Sequence, residues 1–198
     1  ITASRLGEDF SVCGNCVHRG VPHTGKTGGA KKRSCYVMLL MVLSVYKKYK
    51  AGGYTKITGH TNIAYVGRDL IIRLGAYGDP AAVPSYIWES LLSEASGHTG
   101  YSHQANLAGA DYRPDLTMRS ADTLEEARQA WANGERTFRV TSNANDIVQG
   151  EEIVCPASEE AGKRTTCDQC KLCSGNTISA KSIVIMAHGA GSKHYATA

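Results

Sequence analysis

The sequence predicts an α/β fold in which a parallel sheet, wound like a partial (βα) barrel, is joined to a C-terminal Cys-rich metal-binding lobe. Two observations predict it. Segments of strand character alternate with segments of helical periodicity between positions 69 and 141, and this alternation is typical of parallel sheets with helical crossovers. Seven cysteines fall in two groups at opposite ends of the 198-residue chain, which indicates metal binding.

The first half of the chain carries one apolar run, one strand pattern and one helix pattern. The run from Tyr36 to Tyr46 is too short to cross a bilayer and has charge on both sides, so it predicts a buried helix. Asp69 to Leu74 predicts a buried strand, which Gly75 to Pro80 ends. Apolar residues at helical spacing then predict a helix that begins near Ser85.

The second half continues the alternation. A helix begins near Asp122 and Thr123, where a capping signal with a glutamate is present, and ends before Gly134. Strands are predicted at 100–103, 115–120, 136–141, 152–155 and 182–187. We predict that residues 1–150 form the partial α/β barrel with an N-terminal Cys motif. Residues 151–198 are predicted to be a Cys-rich metal-binding segment that completes the sheet.

Composition is that of a globular protein, with 42% hydrophobic and 20% charged residues. The first ten residues carry charge where the apolar part of a signal peptide would lie. Metal-binding thiols imply a reducing compartment. We therefore expect a cytoplasmic protein without a membrane partner.

The cysteines have the spacing of metal ligands. The first group reads C-x2-C-x18-C and the second C-x11-C-x2-C-x2-C. Two residues between cysteines allow neighbouring thiolates to bind one centre, whereas an odd number of cysteines argues against a disulfide framework. Soft thiolates exclude magnesium and calcium and leave zinc or iron–sulfur. The predicted ligands are Cys13, Cys16, Cys35, Cys155, Cys167, Cys170 and Cys173.

The number of ligands leaves the kind of centre open. Three N-terminal cysteines either hold a [4Fe-4S] cluster with one open iron or join His18 or His23 in a Cys3His zinc site. The C-terminal group suits a closed zinc site or a fully ligated cluster. If Cys155 takes no part, His188 or His194 is the candidate fourth ligand, and we count His188 among the predicted metal ligands.

Polar residues follow most of the predicted strands. Because parallel strands end at one edge, where chemistry collects in such folds, they predict a functional rim. The rim contains Gly78, Asp79, His103, Ser120, Asp122, Arg139, Thr141, Cys155 and His188. We predict Asp79, His103, Ser120 and Arg139 as catalytic or substrate-orienting residues. For Ser120 and Asp122, helix capping is an equally good interpretation.

Several of these motifs resemble a radical SAM core. Cys13, Cys16 and Cys35 followed by Tyr36 are similar to its three-cysteine loop, and Gly78-Asp79-Pro80 after the strand LIIRLG is similar to its acidic glycine turn. MRSAD at 118–122 is similar to a strand end of its barrel, and the terminal cysteines to its auxiliary cluster domains. The resemblance implies a [4Fe-4S] cluster and S-adenosylmethionine, whose amino group Gly78 and Asp79 would hold.

Nearly the whole chain resembles a group of Cys-rich phage and mobile-element proteins that brings no activity with it. The shared motifs are CxxC…CY, GDP, GYSHQ, TFRV, CPAS…CxxCxxC and AHG. This resemblance implies the cytoplasm of a bacterial host. A weaker similarity, carried by Asp79 and a C-x2-C core, links the chain to the zinc-containing barrel of tRNA-guanine transglycosylases.

These features predict a metal- or Fe-S-binding protein, namely a radical SAM-like enzyme that acts on a nucleotide or nucleic acid. The substrate class rests on basic residues that follow Cys16 and Tyr46, in a chain of net charge +4. The alternative is a zinc-stabilised nucleic-acid-binding or phage accessory protein without catalysis. In that case zinc is expected especially at the C-terminal cysteines.

Overall fold

Six parallel strands form one sheet in the computed structural model, which describes residues 2–35, 37–189 and 191–197. Tyr36, part of the cysteine–aromatic step, lies outside the described residues. The strands are β1 Ile71–Leu74, β2 Gly97–Ser102, β3 Met118–Ala121, β4 Thr137–Thr141, β5 Glu152–Val154 and β6 Ser182–Met186. Their order is β1-β2-β3-β4-β6-β5, and every neighbouring pair is parallel. The predicted α/β class is confirmed.

Helices precede and connect these strands. The α-helices are α1 Thr2–Leu6, α2 Phe10–Cys13, α3 Leu39–Lys50, α4 His60–Gly67, α5 Ser85–Leu92, α6 Leu124–Ala132 and α7 Cys167–Cys170. Short 3-10 helices cover Val17–Arg19, Pro80–Ala82, Ala144–Asp146, Gly175–Thr177 and Ser192–Thr197. The helices α5 and α6 occupy the segments for which the sequence predicts helices between strands.

The core lies on the sheet around its central strands. Met118 of β3 and Ile183 of β6 are fully buried, and Cys173 packs with them. Tyr101 and Phe138, from β2 and β4, stack with ring centroids 4.1 Å apart. The core therefore includes one of the cysteines for which the sequence predicts a metal ligand.

The apolar run near Tyr46 forms α3, but the prediction that this helix is buried is wrong. None of the described residues of α3 is buried, and Leu40 is 67% exposed. An apolar helix is buried only if another part of the protein packs against it. Here the core cluster is packed by Leu172 and Cys155, and the fully buried Ala127 and Ala130 belong to α6. No helix of the described residues combines the length and apolar character needed to cross a membrane.

The helix α4 is absent from the sequence prediction, and its packing on α5 explains its position. A Cβ atom at Gly67 would lie 1.8 Å from the backbone oxygen of Leu91. The two helices therefore touch backbone to backbone, and glycine is required at this contact. One glycine next to few apolar residues gives no periodic signal, so the pattern did not indicate a helix.

Candidate functional site

Three polar residues meet at the carboxyl edge of the sheet. His103 follows β2, Asp122 follows β3, and His18 comes from the 3-10 turn Val17–Arg19. Asp122 Oδ1 lies 3.0 Å from His18 Nε2 and 3.2 Å from His103 Nε2. The side chains of His18, His103 and Asp122 are 12%, 26% and 23% exposed, so solvent reaches the group.

The His18 ring is fixed from two further directions. Its Nδ1 lies 2.8 Å from Ser34 Oγ, and the ring stacks on Tyr195 with centroids 5.5 Å apart and an interplanar angle of 18°. The Tyr195 hydroxyl in turn donates to the carbonyl of Val140 in β4. A residue near the end of the chain thus positions one near its beginning.

Asp122 is available to the histidines because its neighbour caps α6. Thr123 Oγ1 accepts a hydrogen bond from Glu126 N at 3.1 Å, and Glu126 Oε2 accepts one from Asp122 N at 2.8 Å. The helix cap expected at Ser120 or Asp122 is therefore Thr123. Ser120 lies inside β3, opposite Phe138 of β4.

The group is electrostatically coupled. Burial by itself would favour neutral forms of both residues. Hydrogen bonds from His103 and His18 nevertheless hold the pKa of Asp122 well below its usual range. Burial opposes a charge on His103, but hydrogen bonds and charge from Asp122 and Cys16 outweigh it and raise the pKa of His103 to about 10.

The N-terminal cysteines gather beside this group. Cys16 is close enough to the His103 ring to raise its pKa. Burial, followed by the charges of Asp9, Cys16 and Cys35, raises the pKa of Cys13 to about 11. Cys16 N donates to the carbonyl of Cys13 and Cys35 N to the carbonyl of His18, each at 3.2 Å, although 18 residues separate Cys16 from Cys35 in the sequence.

Backbone hydrogen bonds attach the cysteine segment to the strand ends. Asp79 N donates to the carbonyl of Val12 at 2.8 Å, and Gln104 Nε2 donates to the carbonyl of Cys13 at 2.9 Å. A Cβ atom at Gly14 would lie 2.2 Å from Gln104 Oε1, and Gly14 has φ +54°. The close approach of the segment to Gln104, just after β2, therefore depends on glycine at this position.

Asp79 joins the ends of β1 and β2. Its carboxylate accepts hydrogen bonds from Ser102 Oγ at 2.7 Å, His103 N at 2.8 Å and Ala81 N at 3.0 Å. Gly78 faces the cysteine segment, since a Cβ atom there would lie 2.5 Å from Val12 Cγ1. The GDP turn thus contacts Val12, the residue before Cys13, and the Asp79 carboxylate is hydrogen-bonded to groups of the chain itself.

The C-terminal cysteines gather on the sheet instead. Burial raises the pKa of Cys173 to about 12; a hydrogen bond with Tyr101 opposes this, and the charges of Cys155, Cys167 and Cys170 add to it. Burial likewise raises the pKa of Cys155. The carbonyl of Cys173 accepts a hydrogen bond from Gly100 N at 2.9 Å. Cys173 is therefore attached to β2, and the helix α7, which contains Cys167 and Cys170, packs against the same strand.

Other predicted ligands or rim residues have partners of their own. Arg139 is 2% exposed and donates to both carboxylate oxygens of the fully buried Glu152, at 2.8 and 2.7 Å. His188 is exposed, with Nδ1 2.9 Å from the carbonyl of Met186. Both ring nitrogens of His23 bond the backbone of its own loop, at Gly29 and Gly25.

His18, His103 and Asp122 also have the spacing of metal ligands. Within the described part of the chain, they are the one set of three His, Cys, Asp or Glu ligand atoms that all lie within 4.8 Å of one another. The cysteine groups are more widely spaced. The sequence predicts His103 at this site and His18 as a possible partner of cysteines, but not the pairing of His18 with Asp122, 104 positions away.

Comparisons with protein-family models, with curated proteins and with solved structures found no match. Function is therefore argued from the chemistry of the site.

Proposed function

We propose that this chain is an iron–sulfur, radical SAM-like enzyme that acts on a nucleotide or nucleic acid. One observation supports it most. Cys13, Cys16 and Cys35 approach one another beside His103, at the carboxyl edge of a parallel sheet. This edge is where α/β folds place their chemistry.

The spacing of the thiols does not match a single tetrahedral zinc ion at this position. A tetrahedral zinc centre with bonds of about 2.3 Å requires sulfurs only about 3.8 Å apart. In the described residues no three cysteine sulfurs lie within 4.8 Å of one another. A [4Fe-4S] cluster holds its ligands farther apart because each sulfur binds a different iron. Three cysteines would also leave one iron open.

The negative charges around Cys13 would be offset by a bound metal centre. Neighbouring carboxylate and thiolate charges add to burial in raising its pKa. A bound metal centre reverses this effect, because it stabilises deprotonated thiols. These three side chains are therefore the proposed ligands of the cluster.

S-adenosylmethionine is the proposed co-substrate, and a bound cluster would supply an electron for its reductive cleavage. The turn at Gly78 and Asp79 lies against Val12, next to the proposed ligand Cys13. A carboxylate has about four acceptor positions, and the Asp79 carboxylate uses three of them within the chain. One position remains for the amino group of the co-substrate.

The substrate class rests on charge. Lys26, Lys31 and Lys32 are exposed in the loop between Cys16 and Cys35. This loop is closed by a backbone bridge between Val21 and Lys31. Basic residues close to the proposed centre would attract phosphate groups of a nucleotide or nucleic acid.

Anaerobic purification tests the proposal. We expect brown protein with about four irons and matching sulfide at the N-terminal centre, together with dithionite-dependent cleavage of S-adenosylmethionine. A Cys13/Cys16/Cys35→Ser variant should lose the cleavage. The matched Cys155/Cys167/Cys170→Ser variant should retain it if folded. Colourless wild-type protein with zinc and no sulfide would overturn the proposal.

A second candidate, a zinc-stabilised nucleic-acid-binding protein, is favoured by the surface of α3. Tyr46 and Tyr49 are 55% and 66% exposed, and Lys48 Nζ lies 5.0 Å from the centroid of the Tyr54 ring. Exposed aromatic rings among lysines suit base stacking and phosphate contact.

Binding of a single-stranded oligonucleotide at several salt concentrations tests this candidate. The affinity should fall as salt rises, and Tyr49→Ala should cost about 1–3 kcal/mol of binding free energy. Tyr86→Ala, at a tyrosine on α5 that is 62% exposed, is the matched control. Equal affinities of the two variants would exclude stacking on α3.

A further inference from the structure

We propose that His18, His103 and Asp122 form a mononuclear site for a divalent transition metal, with ligands distinct from the cysteines. The site would bind zinc or ferrous iron through the two Nε2 atoms and a carboxylate oxygen. This inference does not rest on the proposed iron–sulfur function.

The distances within the group are those of ligands around one ion. Bonds of about 2.0–2.1 Å place adjacent ligand atoms about 3.0 Å apart at right angles and about 3.4 Å apart at tetrahedral angles. The two imidazole nitrogens lie 3.0 and 3.2 Å from Asp122 Oδ1. All three atoms lie within 4.8 Å of one another. A single ion can therefore replace the hydrogen-bonded protons with little movement.

The surroundings of His18 resemble the outer shell of a metal-binding histidine. In such sites the nitrogen that does not bind the metal is hydrogen-bonded, which fixes the tautomer and the ring orientation. His18 Nδ1 has such a partner in Ser34 Oγ at 2.8 Å. The parallel ring of Tyr195 further restricts rotation. Ser34 and Tyr195 are therefore assigned as positioning residues.

The ligand types select the metal. Two imidazoles and one carboxylate suit zinc or ferrous iron, whereas magnesium and calcium prefer sites made of oxygen ligands. Three protein ligands leave at least one coordination position open. The partial exposure of His103 and Asp122, 26% and 23%, gives an external ligand access. Water or an anionic oxygen, such as one from a phosphate, is the expected occupant.

Helix capping also favours a ligand role for Asp122. A carboxylate one residue before Thr123 would ordinarily be expected to serve the start of α6. Thr123 and Glu126 satisfy that end of the helix instead. Asp122 Oδ1 is thereby left to the two histidines, which come from other parts of the chain.

Cobalt titration of the reduced, chelator-treated full chain tests the site. Cobalt bound to thiolates gives intense charge-transfer absorption, whereas cobalt bound to nitrogen and oxygen gives only weak visible bands. We expect Asp122→Asn and His18→Gln each to lose one equivalent of bound cobalt without loss of charge-transfer absorption. Glu125→Gln, which removes an exposed carboxylate from the first turn of α6, should retain that equivalent of cobalt.

The proposal would be overturned if Asp122→Asn and Glu125→Gln bound equal equivalents of cobalt. It would also be overturned if the equivalent lost in Asp122→Asn were accompanied by a loss of charge-transfer absorption. Circular dichroism checks that each variant folds. If neither variant folds, anomalous diffraction from wild-type crystals soaked in zinc decides. A peak about 2.1 Å from both Nε2 atoms supports the site, and its absence rejects it.

The two proposals fail separately. Iron, acid-labile sulfide and cleavage of S-adenosylmethionine report on the cysteine centre. Cobalt equivalents without charge transfer report on His18, His103 and Asp122. A brown, sulfide-containing protein that shows no such equivalent would keep the first proposal and reject the second.

Discussion

The two cysteine groups lie in different surroundings. The N-terminal group lies at the carboxyl edge of the sheet, beside His103. In the C-terminal group, Cys173 belongs to the hydrophobic core with Met118 and Ile183. The first group therefore lies at the edge where α/β folds collect functional residues, whereas Cys173 of the second group contributes to the core.

The two cysteine groups are also attached to the rest of the chain in different ways. The N-terminal segment is attached to the strand ends by hydrogen bonds through Val12, Cys13 and His18. The C-terminal loop surrounds Arg136, which is 8% exposed. Changes in the N-terminal group should therefore affect metal content more than stability. Changes in the C-terminal group should affect stability directly.

The largest expected effect is that of Arg136→Met. The guanidinium donates to the carbonyls of Gly175, Leu172 and Lys181 at 2.7, 2.8 and 2.8 Å. Gly175 is buried, Leu172 is partly buried and Lys181 is exposed. Because a buried carbonyl left without a partner costs about 1–3 kcal/mol and the other two cost less, we expect the free energy of unfolding to fall by about 3 kcal/mol. Urea denaturation measures it. Arg128→Met, on the exposed side of α6, is the control, and equal losses would contradict the role of Arg136.

The next effect compares one cysteine from each group in metal-free protein. Cys173→Ser places a hydroxyl beside Met118 and Ile183, so it should lower the free energy of unfolding by about 2 kcal/mol. Cys16→Ser changes a partly exposed thiol at the sheet edge and should cost less than about 0.5 kcal/mol. Urea denaturation with chelator present measures both. A larger loss for Cys16→Ser would reverse the comparison.

A third, smaller effect concerns the docking of the N-terminal segment. Gly14 and Gly28 both have positive φ, +54° and +85°, but only at Gly14 would a Cβ atom meet a neighbour, Gln104 Oε1 at 2.2 Å. Alanine should cost the backbone penalty at both positions and about 1 kcal/mol more at Gly14 because of overpacking. Hydrogen exchange should show faster exchange around Cys13 in Gly14→Ala only. Equal exchange in both variants would mean that the segment does not depend on this contact.

The sequence predicts the sheet well because its signals are local. Apolar β-branched residues at Ile71 and Ile183 and the capping signal near Thr123 define strands and a helix within a few neighbouring residues. The sequence does not predict the exposure of α3 or the presence of α4. The exposure of α3 depends on which elements pack against it, and α4 packs on α5 through a backbone contact at Gly67. Neither appears in a periodic pattern.

Only part of the site is predictable, because sequence patterns report local structure and not contacts between distant segments. His103 and Asp122 follow neighbouring strands, so parallel topology alone brings them to one edge. His18 and Tyr195 come from segments outside the sheet, and no spacing in the sequence relates either of them to Asp122. Their contacts depend on how both ends of the chain pack onto the strand ends.

The smallest expected effect lies at the amino end of β2, opposite the end that is followed by His103. His98, near its amino end, has a lowered pKa because burial outweighs its hydrogen bond to the carbonyl of Leu116. The unfolded chain therefore binds more protons than the folded chain in acid, and stability should fall as pH drops below about 6.5. His98→Gln, which keeps a donor for Leu116, should reduce this fall in urea denaturation at pH 7 and pH 5, whereas the exposed His188→Gln should not. An unchanged pH dependence in His98→Gln would contradict this role of His98.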